Sequence, residues 1–155
     1  SVDGIVVAQA WHWFDQARAL AEAGRVIRPG GALMLIWNDW DDSDALVAEL
    51  QAMRSRNASP ETPGHRAGVG LGPFESEPGF GPVHEERFPN EQFLDSEGVV
   101  GRMLSVSYIA SAPEAEQERV AHEVRDAVAR HARDPERVRI AYTTTVYWRI
   151  RAPAT

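Results

Sequence analysis

The sequence predicts an α/β fold around a parallel sheet, and three observations carry that prediction. Ile5-Val-Val-Ala8 and Ala32-Leu-Met-Leu-Ile-Trp37 are continuous apolar runs of strand length, the pattern of strands covered on both faces. A stretch of helical periodicity lies between them, and strands joined through a helix run parallel with a right-handed crossover. At 155 residues, 43% hydrophobic and 25% charged, the chain suits one globular domain with a substantial core.

The first helix is predicted from about Asp15 to Ile27, with Phe14, Ala17, Leu20, Ala21 and Ile27 on its inner side. Pro29-Gly-Gly31 is expected to stop it, because proline cannot continue a helix and glycine supplies a positive φ. After the second strand, Asp39-Trp-Asp-Asp-Ser-Asp44 precedes an amphipathic helix that buries Leu46, Val47, Leu50 and Met53. Acids at a helix start cap free N–H groups and oppose the dipole. These elements make residues 1–56 a βαβα core.

Residues 57–82 are rich in proline and glycine and aperiodic; they read as a long surface loop that closes over a site. Residues 83–132 read as a strand plus a helical cap: a strand from Val83 to Phe88, a helix from Asp95 to Leu104, and a helix to Ala132 opened by the capping box Ser111-Ala-Pro-Glu114. Val120, Val124, Ala127, Val128 and His131 share a face of the last helix. Residues 137–151 form a final antiparallel or edge strand, with Val138, Ile140, Tyr142, Thr144, Val146, Trp148 and Ile150 on one side. Arg139, Ala141, Thr143, Thr145, Tyr147 and Arg149 point to a polar side.

A net charge of −7 argues against a nucleic-acid partner held through phosphates. All 16 basic residues are Arg, which reads as coding bias rather than a site. With no cysteine, neither disulfides nor thiolate chemistry is available. No apolar run approaches the roughly 20 residues of a membrane helix, so a soluble cytoplasmic protein without a membrane partner is expected.

Val2-Asp-Gly-Ile-Val-Val-Ala-Gln-Ala-Trp-His-Trp-Phe-Asp15, Ala19-Leu-Ala-Glu22 and Arg25-Val-Ile-Arg-Pro-Gly-Gly31 resemble the second half of a class I S-adenosylmethionine-dependent methyltransferase. More narrowly they are similar to the type 11 small-molecule group that includes trans-aconitate methyltransferase-like proteins. The resemblance implies an incomplete Rossmann-like sheet holding strands four to seven of seven, with a helical cap insertion carrying Ser105-Val-Ser-Tyr-Ile-Ala110. The family's glycine-rich cofactor loop and ribose-holding acid have no counterpart in the sequence. The chain is therefore expected to be the carboxyl-terminal part of one methyltransferase domain, binding the cofactor weakly by itself.

In an open parallel sheet, ligands gather where strands end and helices begin. Ala8, Gln9, Ala10, Trp11 and Trp13 are thus candidate contacts for S-adenosylmethionine, an indole face suiting a sulfonium as it suits other cations. His12 is the candidate base, since imidazole titrates near neutrality. The alternative reading makes Trp11, Trp13 and Phe14 packing residues at a helix start. Asn38, Trp40, Ser105, Ser107 and Tyr108 are candidate contacts to a small-molecule methyl acceptor, or else helix-end residues. Asp39, Asp41, Asp42 and Asp44 could hold Mg²⁺, but helix capping explains them and no metal is expected. His65, His84, His122 and His131 lack ligand spacing. The arginines at 125, 130, 133, 137 and 139 read as a solvated face. Two function classes follow: methyl transfer in the intact enzyme, or a non-catalytic remnant acting as an interaction module. An uncovered first-strand edge invites a homodimer or a partner supplying the missing half.

Overall fold

The computed structural model describes residues 1–58 and 71–153. It contains a four-stranded sheet in the order β1-β2-β4-β3, with β1 Val2–Ala8, β2 Ile27–Trp40, β3 His84–Leu94 and β4 Val138–Ile150. The helices are α1 Gln16–Val26, α2 Ala45–Asn57, α3 Gly72–Ser76, α4 Ser96–Leu104, α5 Ser107–Ala110 and α6 Glu114–His131. The chain divides into two compact units, one of residues 1–39, 71–88 and 144–153, the other of 40–58 and 89–143.

In the first unit β1 and β2 run parallel, with Gly4 to Ala8 opposite Ala32 to Ile36, as the βαβ pattern predicts. The Pro-Gly-Gly turn does something other than stop the helix. α1 already ends where Ile27 turns extended and its N–H bonds Ala23 O. Pro29, Gly30 and Gly31 lie inside β2, opposite a register shift in β1 between Val2 and Gly4. Gly30 takes φ 79°, a region that suits glycine. A Cβ on Gly31 would meet Asp3 O at 2.4 Å and Ile27 Cγ2 at 2.6 Å, so only glycine lets the two backbones approach. Arg28 closes the same corner through a 2.5 Å ion pair with Asp3.

The core of this unit is Val7, Trp11, Leu20, Ala23, Ile27, Leu33, Leu35, Trp37, Phe74 and Phe80. Ala17, Ala21 and Phe14 are exposed, so the buried stripe of α1 is narrower than expected and runs through Leu20 and Ala23. Nor is β1 covered on both faces: Val7 is buried while Val6 is 59% exposed. Val6 points to the face of the sheet opposite Val7, and that face of β1 is left open. The described end of the 57–82 stretch is not a plain surface loop either. α3 buries Phe74 completely, and Phe80 bridges Arg151. The rest of that loop reading falls on 59–70, outside the described residues.

Just past β4, Arg151 bonds Gly30 and Gly31 through both of its backbone groups, and at the end of β4 Ile150 O accepts from Gly81 N–H. β4 is antiparallel as expected, but it lies between β2 and β3 rather than at the edge. Its polar side is therefore buried at Ala141, Thr145 and Arg149.

In the second unit α2, α4, α5 and α6 pack around Leu46, Val47, Leu50, Met53, Val99, Met103, Ile109, Val120, Val124 and Val128. Asp44 accepts from Leu46 N–H and Val47 N–H at 3.0 and 3.2 Å, and Asp95 accepts from Gly98 N–H at 2.6 Å. The capping box of α6 does not form. Ser111 closes α5 instead, its hydroxyl donating to Ser107 O at 2.9 Å, and Pro113 occupies the α6 N-cap without a side-chain bond. His131 leaves the apolar face to meet Glu49. β3 runs longer than predicted and is exposed at every residue before Leu94; Pro89 is tolerated there because β3 is an edge strand. Among the described residues no helix is long and apolar enough to cross a membrane.

Candidate functional site

The carboxyl end of β1 is shaped by one backbone feature. Gln9 adopts φ 54°, the only non-glycine residue among those described to take a positive φ. Such residues persist only where surrounding bonds hold them, and they concentrate at functional sites. Two bonds hold Gln9: its N–H donates to Ile36 O at 2.9 Å, and its Nε2 donates to Asn38 O at 3.2 Å. The ends of β1 and β2 are thereby joined. Asn38 is fixed in turn by the Thr144 hydroxyl, which donates to its Oδ1 at 2.6 Å.

The left-handed step sends the chain into a single 3₁₀ turn, Trp11–Trp13. Asp15 then caps α1 by accepting from Arg18 N–H at 3.1 Å. The three aromatic groups diverge. Trp11 is 1% exposed and packs edge-on against Phe14 and Phe74, with centroids 6.1 and 6.2 Å away. Its Nε1 is buried with no hydrogen-bond partner among the described residues. Trp13 is 66% exposed, and the half-buried His12 ring lies 4.8 Å from it. Ala8 and Gln9 are exposed and Ala10 is half-buried. Trp11 is thus packed into the core, whereas Trp13 and Phe14 face solvent.

Next along β2, the buried Trp37 indole packs edge-on against Tyr147 at 5.9 Å. Burial, and next the Glu85 carboxylate, hold the Tyr147 phenol above its ordinary pKa, against an opposing Arg87.

The remaining sequence-predicted residues belong to the second unit. Trp40 is buried, with the Arg54 guanidinium 4.8 Å over its ring. Tyr108 donates its hydroxyl to Arg54 O at 3.1 Å, so Trp40 and Tyr108 meet through Arg54. Ser105 and Ser107 are exposed, and each serves a helix end: Ser105 donates to Arg102 O at 2.8 Å, and Ser107 O accepts from Ser111. Asp41 and Asp44 act as turn and helix caps. The Ser43 hydroxyl, and next its backbone N–H, lower the Asp41 pKa. Among the described residues no group of three His, Asp or Glu is arranged to hold a metal. His84 stacks on Trp148, His122 faces Asp126 and His131 bonds Glu49; His65 lies outside the described residues. Arg125, Arg130 and Arg139 pair with Glu97, Glu49 and Glu91.

Sequence reasoning missed Arg54, Phe74 and Arg149. Arg54 and Phe74 carried no signal. Arg149 carried only a misleading one, its place on the polar side of an alternating strand.

Chemically, the β1 end offers an exposed indole, an imidazole, a buried indole N–H and a side-chain amide. A family model described as a methyltransferase domain matches residues 1–35, the span containing this turn and the Pro-Gly-Gly corner. An uncharacterized methyltransferase of Mycobacterium tuberculosis is 36% identical over 131 residues, covering 84% of this chain and 50% of its own length. An uncharacterized methyltransferase-like protein of Schizosaccharomyces pombe is 29% identical, covering 99% of this chain and 60% of itself. The solved structure of a candidate type II methyltransferase from Anaeromyxobacter dehalogenans superposes with a TM-score of 0.66 at 25% identity, covering 99% of this chain and 66% of that one. The chain thus spans about half to two thirds of the length of these relatives.

Proposed function

We propose that the chain is part of a class I S-adenosylmethionine-dependent methyltransferase, a reading supported by the methyltransferase-domain match and the methyltransferase relatives, and that the turn after β1 is its contact with the methyl donor, for transfer to a small-molecule acceptor. The observation that carries this reading is the left-handed Gln9, tied to both Ile36 and Asn38. That geometry supports ligand contact because it holds residues 10–14 across strand ends, where open α/β sheets bind ligands. The side chains fit the donor: among the described residues Trp11 Nε1 has no acceptor, and the exposed Trp13 face suits a cationic centre.

S-adenosylmethionine, when bound, supplies a methyl group already activated on a sulfonium. What remains for the protein is alignment and exclusion of water. Gln9 and Trp11 orient, and Trp13 offers its π-face. His12 accepts a proton at a ring nitrogen when the acceptor is a hydroxyl or an ammonium; a carboxylate acceptor needs no base. Asn38, held beside the same turn by Gln9 and Thr144, is the proposed acceptor contact.

Amide chemical-shift mapping with S-adenosylhomocysteine tests this. Binding by the chain alone is expected to be weak, so the titration extends to millimolar ligand. Shifts clustered on residues 8–14 support the reading; shifts confined to other segments contradict it.

A second reading, a non-catalytic interaction module, draws on the exposed outer strand. Val2 and Val6 are 43% and 59% exposed on β1, and an apolar sheet edge of this kind pairs readily with another chain. A homodimer, or a partner chain pairing with β1, follows from it. Light scattering at micromolar concentration distinguishes the cases, a strict monomer excluding the homodimer.

A further inference from the structure

Arg149 is 5% exposed on the side of β4 that alternation assigns to water. Among the described residues no carboxylate bonds it. Its guanidinium instead donates to three backbone carbonyls: Nη1 to Phe74 O, Nη2 to Phe80 O at 2.7 Å and Nε to Gly81 O at 2.5 Å. It also lies 5.9 Å from the ring centres of Phe74 and Phe80. Arg151 adds a second fastening, from Nη1 to Gly79 O at 2.7 Å and from Nε to Gly24 O at 3.1 Å. A planar fork with five donors can hold a turn in this way; a lysine ammonium, a compact charge with three donors, can meet the same three carbonyls only in part.

The fastened segment is also what Trp11 rests on. Phe74, fully buried, meets the Trp11 indole edge-on at 6.2 Å, and Trp11 begins the 3₁₀ turn after β1. Arg149, Phe74 and Trp11 therefore form a continuous relay within the first unit. We propose that Arg149 is a positioning residue for the methyl-donor site: by fixing residues 74–81 against Trp11, it sets the placement of the Trp11–Trp13 turn. This rests on the donor-site reading above, but its first readout does not.

The test is ¹⁹F NMR of protein labelled with 5-fluorotryptophan, which gives one line for each of the five tryptophans; Trp11→Phe assigns the Trp11 line. Arg149→Met is expected to shift and broaden the Trp11 line while leaving the Trp40 line in place. Arg149→Lys is expected to restore it only in part. Where wild type binds S-adenosylhomocysteine, Arg149→Met is expected to weaken binding by on the order of tenfold to a hundredfold, the scale of a displaced contact group. Phe74→Leu, which keeps all three accepting carbonyls, is expected to move the Trp11 line similarly, and it carries the test with Arg149→Lys if Arg149→Met does not fold. An unmoved Trp11 line in folded variants overturns the proposal, as does an equal change in all five lines. Failure of wild type to bind S-adenosylhomocysteine would sink the donor-site reading while leaving the Trp11 response to be judged on its own.

Discussion

Gly30 and Gly31 are adjacent, yet they should respond differently to the same substitution. At Gly31 an added Cβ would sit 2.4 Å from Asp3 O, 2.6 Å from Ile27 Cγ2 and 3.0 Å from Arg28 O. Two of those neighbours are backbone, so relief requires moving β1 or reshaping the Arg28–Gly31 corner. Overpacking of a well-filled site costs about 1–3 kcal/mol, occasionally more, and the backbone clash puts Gly31→Ala at roughly 3 kcal/mol or above. At Gly30 there is space, and the penalty is conformational: φ 79° costs a residue with a Cβ about 1–2 kcal/mol. Gly72→Ala is the control, since nothing lies within 4 Å of its Cβ position. For a domain of this size about 1 kcal/mol corresponds to ~2–4 °C. Thermal melts should therefore fall by roughly 6–12 °C for Gly31→Ala and ~2–8 °C for Gly30→Ala, with little change for Gly72→Ala. Gly31→Ala melting with the control would refute the claim that the Pro-Gly-Gly motif exists for backbone approach between β1 and β2.

Further outcomes are expected elsewhere. Asp44→Ala removes the acceptor of two N–H groups at the start of α2 and should lower stability by about 1–2 kcal/mol in urea unfolding. Ser111→Ala should change it by less than ~0.5 kcal/mol, because Ser111 does not cap α6. Glu49 has its pKa lowered, first by its bond to His131 and then by Arg130. A carboxyl depressed in the folded state contributes stability above its unfolded pKa of about 4.3, and that contribution is lost as pH falls through the folded value. Urea midpoints measured from pH 7 down to 3 should therefore fall less steeply in Glu49→Gln than in wild type. The partly exposed pair keeps the difference small. Trp13→Ala should leave the melt nearly unchanged, because the ring is largely exposed, while weakening any S-adenosylhomocysteine binding.

The parts of this fold legible in the sequence are those where local pattern and tertiary need coincide. The runs in β1 and β2 and the apolar stripe of α2 announce themselves, and so does the acid preceding α2. Elsewhere a neighbour decided. Ser111-Ala-Pro-Glu114 has the spacing of a capping box, but α5 ends at Ala110 and claims the serine. The alternation in β4 implied a wet side, yet strands on both edges of β4 and the carbonyls of residues 74, 80 and 81 take Arg149 inward. α3 is too short to show a period, so Phe74 gave no warning of its burial. At the candidate site, the spacing of strand end and helix start located Gln9 to Trp13. The Gln9–Asn38 bond depends on sheet register 29 residues apart, which no local pattern encodes. The Ser105 hydroxyl bonds Arg102 O at the end of α4, a use that the polarity of the residue does not announce.

Photo-crosslinking with tritiated S-adenosylmethionine, followed by tryptic mapping, reaches the central claim most directly. Cleavage after Arg18 isolates residues 1–18, which hold β1 and the whole Trp11–Trp13 turn. The label is expected on that peptide and is expected to disappear with excess S-adenosylhomocysteine. Competable label found only on peptides beyond Arg18 would contradict the placement of the methyl donor at the end of β1.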